Sequence, residues 1–327
     1  MKRRWLPVVK VTVSLGLLAW VVHAATSRDG VGALAERVRG LNPAWLLAAV
    51  GLQLLAVLAG VYRWRALLAA QELPLPLPWL VRTFLVGRFV GSFTPSTTGL
   101  DLYRTVEVAR RTGERGRSAG VIIVEKLVGL LGLALITVAL LGLCGTQLLG
   151  PGALFGAAGV ASLCGVGLAV LRWPGCVRGV TVRLPRRARE LLDRVVSAVA
   201  TRRVGVSVLG RCLGLSFLGH LATSGVFVTT ALALDLPADP LAVLVVGNAI
   251  VVATLLPLSI GGVGVREGVA VMMLATVGVG PTDAALVALL GYLSGQVPAL
   301  IGGIVSLAPA PQIAVNSGKS AATGASA

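Results

Sequence analysis

Runs of about 20 apolar residues, the length that crosses a hydrocarbon core as a helix, recur along this 327-residue chain and leave few folds open to it. Mean hydropathy is +0.89, with 56% of residues hydrophobic and 13% charged. A soluble domain carries roughly twice that share of charge. No alternating strand pattern of the kind an outer-membrane barrel needs is present. The expected fold class is therefore all-α, a polytopic helical membrane protein with about seven to nine membrane helices, some of them broken or re-entrant.

The formal charge is +16, from 29 Lys and Arg against 13 Asp and Glu. On a soluble chain such a balance points to nucleic acid. Here the basic residues lie between apolar spans, where they set orientation and hold anionic lipid at the cytoplasmic surface. No nucleic-acid partner is expected. Cys144, Cys164, Cys176 and Cys212 show neither C-x-x-C spacing nor a nearby His pair, so they read as small apolar filler, with no metal and no cofactor implied.

Residues 1–25 open with Met1-Lys2-Arg3-Arg4 and run apolar through Val22. They share a basic start with secretory signals but read better as a retained first helix with a cytoplasmic N-terminus, in a multi-pass protein of the cell membrane. Asn42-Pro43 caps a span over 43–62 that ends in Tyr62-Arg63-Trp64-Arg65, a mixture expected at the inner interface. Three prolines between Gln71 and Pro78 interrupt the helix. Further spans are expected at 118–143, 153–171, 206–233, 240–258 and 284–306, with a short apolar helix at 268–277 and a charged cytoplasmic loop at 101–117. Glu125 and Lys126 lie inside a span, where ionisable groups face the bundle or a cavity; the alternative is Lys126 snorkelling to the headgroups. His220 reads as a packed, hydrogen-bonded residue. Segment 172–203, with nine Arg, has the pattern of an amphipathic helix on the cytoplasmic leaflet. A single membrane domain over 1–308 and a disordered tail over 309–327 complete the outline.

Two stretches share one design. The first runs apolar from Gly87, is stopped by Pro95, and continues through Gly99, Asp101 and Arg104. The second carries Pro257, Gly261, Gly262, Gly264, Arg266 and Glu267. Pro95, Gly99 and Arg104 recur 162 residues later as Pro257, Gly261 and Arg266. The lysine and arginine distribution gives the units 43–171 and 206–306 opposite orientations, the pattern of an inverted repeat. Proline frees backbone carbonyls, glycine lets backbone N–H groups approach an anion, and arginine grips phosphate through a planar fork. Arg104 and Arg266, with Asp101, Glu125, Lys126 and Glu267, are the candidate head-group residues. Pro95, Gly99, Pro257, Gly261, Gly262 and Gly264 are the candidate helix breaks and backbone anion contacts. The plainer alternative is that each Arg–carboxylate pair only caps its helix.

Pro95-x-x-x-Gly99-x-Asp101-x-x-Arg104, then Glu125-Lys126, then Pro257-x-Ser259-Ile260-Gly261-Gly262-x-Gly264-x-Arg266-Glu267-Gly268, resemble the lysylphosphatidylglycerol synthase transmembrane-region family, also described as flippase-like and UPF0104-type. The resemblance covers about residues 5–308. Many members read Gly-Gly-Asp where this chain has Thr98-Gly99-Leu100-Asp101, and the usual Asp-Arg pair stands here as Glu125-Lys126. In the family's best-known members the region is joined to a soluble domain that aminoacylates phosphatidylglycerol. This chain ends in a tail near Ala327, so the resemblance implies movement of a phospholipid or lipid-linked precursor between leaflets rather than lysyl transfer.

A non-transporting accessory role in a lipid-synthesis complex is the second expectation. A membrane-embedded transferase, with Asp101 or Glu267 as base, is the third and weakest, since no catalytic constellation is visible. Homo-oligomerisation is left open.

Overall fold

A computed structural model of the chain describes residues 32, 36–94, 98–145, 151–172, 204–255 and 264–309. These form α1 (Pro43–Ala70), α2 (Leu77–Ser92), α3 (Thr98–Thr112), α4 (Arg115–Leu140, with a π turn at Leu141–Gly145) and α5 (Pro151–Arg172). The second half supplies α6 (Val206–Ala233), α7 (Pro240–Thr254), α8 (Val265–Leu274, with a 3-10 turn at Ala275–Val277) and α9 (Pro281–Ser306). No strand occurs among the described residues. Four helices, α1, α4, α6 and α9, are long and apolar enough to cross a membrane, and between 33% and 50% of the most apolar window of each is buried in protein. The remaining faces present residues such as Leu47, Leu58, Leu300 and Ile304 outward. An apolar surface on that scale is at home in lipid. The protein is a helical membrane protein.

The helix starts follow local chemistry. Asn42 accepts from the Ala44 N–H at 3.0 Å ahead of Pro43, and Asp239 accepts from the Ala242 N–H at 3.0 Å ahead of Pro240. Each side chain satisfies a backbone donor that has no partner within the helix, and each proline takes a position where no N–H is needed.

The element order is duplicated. α1 and α6 contain 28 residues each, α2 and α7 contain 16 and 15, and α4 and α9 contain 26 each. Each set of four helices has its own buried cluster. One gathers Trp64, Leu80, Phe84, Val108, Val121 and Val128, and the other Phe227, Val246, Ile250, Ala270, Leu274 and Val287. The two sets meet along α1 and α6, which run antiparallel. The Asn42 N–H donates to the Ala233 carbonyl at 2.9 Å, Gly225 lies against Leu52, Gly219 against Ala56 and Ala59, and Arg63 Nη1 donates to Ser216 Oγ at 2.8 Å.

A second antiparallel contact joins α2 to α9. A Cβ on Gly302 would run into the Leu85 carbonyl, so the two backbones touch directly. The equivalent contact in the other set, α4 against α7, is made by Thr137 and Asn248, whose side-chain oxygens lie 2.8 Å apart.

Several sequence boundaries change. The span expected at 43–62 continues to Ala70. Trp64 is buried in the first cluster and Arg63 is bonded across the helix pair, so both face protein. The loop expected at 101–117 is α3, a short turn and the start of α4. Helix α7 stops at Thr254, α8 starts at Val265, and α9 starts at Pro281. The first helix at 1–25, all of the amphipathic segment 172–203 but Arg172, and the tail beyond 309 lie outside the described residues.

Candidate functional site

The break between α2 and α3 brings charged residues together instead of exposing them. Arg104, on the second turn of α3, is buried, and its Nη1 donates to Glu125 of α4 at 2.9 and 3.2 Å. Its Nη2 donates to Asp101 at 2.7 Å. The guanidinium lies between two aromatic rings, 5.0 Å from the Trp64 centroid and 4.8 Å from that of Phe84. Glu125 also accepts from Arg63 Nη2 at 3.2 Å, and Lys126 pairs with Asp101. Three cations and two carboxylates thus form one continuous network. Lys126 is its half-exposed end, while Glu125 and Arg104 are its core. A charge at such depth is stable only when paired and hydrogen-bonded, and this network meets that condition for Arg104 and Glu125.

Next to the network lies a cavity of about 470 Å³ between the two helix sets. Its size falls within the range of roughly 300–1,000 Å³ typical of small-molecule sites. α1 contributes Gln53, Ala56, Val57, Gly60 and Arg63, and α2 contributes Arg88 and Gly91. Across from them stand Ser216, Gly219, His220 and Thr223 of α6, Val251 and Thr254 of α7, Arg266 of α8, and Tyr292 and Gln296 of α9.

Since α6 and α7 each begin 163 residues after α1 and α2, equivalent positions can be compared. Gln53, Ala56, Val57, Gly60, Arg88 and Gly91 correspond to Ser216, Gly219, His220, Thr223, Val251 and Thr254, and all twelve line the cavity. The cavity sits where α1 and α6 cross.

Its charges are one-sided. Among the described residues, Arg63, Arg88 and Arg266 line it, and no Asp or Glu does. Glu125 stands behind Arg63. Arg266 stacks on Tyr292, 4.6 Å from the ring centroid, with the Glu267 carboxylate 3.9 Å away. Arg88 donates to the Gly295 carbonyl at 3.1 Å and has no carboxylate partner among the described residues. The Nε atoms of Arg63 and Arg88 are shielded from solvent and make no hydrogen bond among the described residues. His220 Nε2 lies 3.0 Å from the Gly129 carbonyl, a packed and bonded histidine at the cavity edge.

The sequence-level candidates therefore separate into two places. Asp101, Arg104, Glu125 and Lys126 come together, but behind the wall rather than in the cavity. Arg266 reaches the cavity. Glu267 is committed to its own helix, with Oε2 accepting from the Gly264 N–H at 2.6 Å. Gly264 takes φ +85°, a conformation that disfavours any residue with a Cβ. Gly99 serves another purpose: a Cβ there would collide with the Thr94 side chain, so it permits close packing across the break. Pro95, Pro257, Gly261 and Gly262 lie outside the described residues.

Sequence reasoning did not single out Arg63 or Arg88 as site residues. Arg88 is a cation with apolar or small residues on either side, which is itself a signal in a membrane helix; Arg63 is hidden among its neighbours Tyr62, Trp64 and Arg65. Free thiols at Cys164 and Cys212 are buried, and no group of metal-ligating side chains occurs among the described residues.

Taken together, the apolar spans, the buried ion network and the arginine-lined cavity define a helical membrane protein with a polar interior site. The chain matches the family described as the lysylphosphatidylglycerol synthase TM region over residues 8–303 and belongs to that family. No curated protein matches it.

Proposed function

We propose that the protein moves a lipid between leaflets, with the head group held in the cavity between two inverted helix sets. The observation that carries this reading is the cavity itself, at the crossing of two antiparallel, equal-length helices and lined, among the described residues, by three arginines and no carboxylate. Inverted sets with a central site are the usual basis of alternating access, in which one set rocks against the other around a fixed substrate. Family membership supports the same direction, toward a membrane protein of lipid chemistry. Arg63, Arg88 and Arg266 contact the head group, while Glu125, itself held by Arg104, and Ser216 hold Arg63 in place. The cell membrane is the setting, with the N-terminus cytoplasmic.

The test is transbilayer movement of a fluorescent phospholipid in proteoliposomes. Arg88→Gln and Arg266→Gln each lower the rate by about tenfold or more, the loss expected when a charge-assisted contact is removed from a buried site. Wild-type rates in both variants refute the mechanism and favour an accessory role in a lipid-synthesis complex.

A further inference from the structure

One glycine of the cavity wall is flanked, from two helices, by donors that the protein leaves largely unused. The Gly295 carbonyl of α9 accepts from Arg88 Nη2 of α2 at 3.1 Å. The side-chain nitrogen of Gln53, on α1, stands 3.5 Å from the place that a Cβ on Gly295 would take. Gly295 thus leaves space at a corner shared by α1, α2 and α9, and Arg88 and Gln53 both line the cavity.

The three arginines of the cavity differ in what holds them. Arg63 has Glu125 and Ser216, and Arg266 has Glu267 and the Tyr292 ring. Arg88 has the Gly295 carbonyl, which takes one of its five N–H groups. Its Nε is shielded from solvent and has no partner among the described residues. Gln53 is only 9% exposed, and its amide makes no hydrogen bond among the described residues. Buried donors without partners are costly, the more so when charged, and native proteins keep few of them. Two beside one glycine of a cavity wall call for an acceptor from outside the protein.

The donors define that acceptor. A guanidinium edge presents parallel N–H groups that match two oxygens of a phosphate, and a side-chain amide adds a neutral donor. The second helix set has no equivalent. Its matching positions are Val251 and Ser216, whose hydroxyl donates to the Cys212 carbonyl and accepts from Arg63. The corner therefore belongs to one set alone.

Given that the cavity is a head-group site, we propose that Arg88 and Gln53 hold the phosphate of the lipid, its free oxygens bridging α2 and α1 beside Gly295.

Binding to the full-length protein in dodecylmaltoside, followed by calorimetry, tests this. Dihexanoyl phosphatidylglycerol supplies the phosphodiester, dihexanoylglycerol the same tails without phosphate, and inorganic phosphate the anion without tails. The phospholipid is expected to bind about tenfold or more tightly than either control. Arg88→Gln weakens it about tenfold, the effect of a charge-assisted contact, and Gln53→Leu about fivefold, the effect of a neutral one. Gln53→Leu keeps the wild-type melting temperature, because its amide has no bond within the protein to lose. Arg211→Gln, which removes an exposed cation of α6 away from the cavity lining, leaves binding unchanged. Wild-type affinity in either cavity variant overturns the proposal. Dihexanoylglycerol binding as tightly as the phospholipid also overturns it, since the phosphate then goes unread. Inorganic phosphate binding as tightly does the same, by assigning the corner to a soluble anion.

The two readings fail separately. Binding that depends on Arg88 and Gln53, without any lipid movement, refutes translocation and keeps the phosphate site. Movement lost in Arg266→Gln, with both movement and binding unchanged in Gln53→Leu, removes the phosphate site and keeps translocation.

Discussion

Replacing Glu125 by Gln keeps the shape of the side chain and removes the charge that joins α1, α3 and α4. In the wild type this carboxylate takes three hydrogen bonds, at 2.9 and 3.2 Å from Arg104 and 3.2 Å from Arg63. Its side chain and that of Arg104 are each only 4% exposed. Removing one partner of a buried pair costs about 3–5 kcal/mol, because a desolvated charge is left behind. Asp101 still holds Arg104 and Ser216 still holds Arg63, which places the loss at about 3 kcal/mol, the lower end. At about 2 °C per kcal/mol for a chain of this size, Glu125→Gln melts about 6 °C lower in dodecylmaltoside. The internal control is Glu107→Gln. Its partner Arg110 has a side chain 74% exposed, and an exposed pair contributes less than about 1 kcal/mol. Equal melting shifts for the two variants refute the assignment of the buried network as a stabilising unit.

Two further predictions concern glycine. Gly302→Ala places a Cβ against the Leu85 carbonyl and pushes α9 from α2; overpacking of this kind costs about 1–3 kcal/mol, read as a lower melting temperature, whereas Gly51→Ala, with open space around it, leaves the melting temperature unchanged or slightly raised. Gly264→Ala forces an L-residue into φ +85° at about 1–2 kcal/mol and loosens the N-terminus of α8. Lipid movement is expected to fall with it, because Arg266 is the second residue of that helix. Full activity with full stability in Gly264→Ala contradicts the geometry.

Much of the helical outline was legible in the chain because a bilayer leaves no other economy for the backbone: an unpaired N–H or C=O in hydrocarbon costs several kcal/mol, so a long apolar run has to be helical. Asn42-Pro43 marked the start of α1 for a local reason, its cap being made two residues away. The end of α1 was misjudged because Tyr62-Arg63-Trp64-Arg65 has the composition of a membrane interface, and local composition cannot show that Ser216 and Glu125 wait across the bundle to receive Arg63.

The duplicated motif shows where reading by sequence register stops working. A spacing of 162 pairs Arg104 with Arg266. The helices themselves keep a spacing of 163 through α1 and α2, but α8 and α9 start 167 and 166 residues after α3 and α4. The difference arises between the helices, since α3 starts six residues after the end of α2 and α8 starts eleven after the end of α7. Arg104 therefore lands on the second turn of α3 and Arg266 at the beginning of α8, one in the wall and one at the cavity.

What the sequence determined by itself is the solvent and the elements: hydropathy demands a bilayer, and the bilayer demands helices, with prolines and caps setting several of their starts. Apart from the local pairs Asp101–Arg104 and Arg266–Glu267, which charges face each other was decided by tertiary structure. Arg63, Arg88 and Arg104 look alike along the chain, each a cation near apolar residues. Packing gives Arg104 two carboxylates, gives Arg63 one carboxylate and a hydroxyl, and gives Arg88 a single carbonyl. Pairing depends on residues up to 207 positions away, and only the folded bundle brings them within the few ångströms over which charge and hydrogen bonding act.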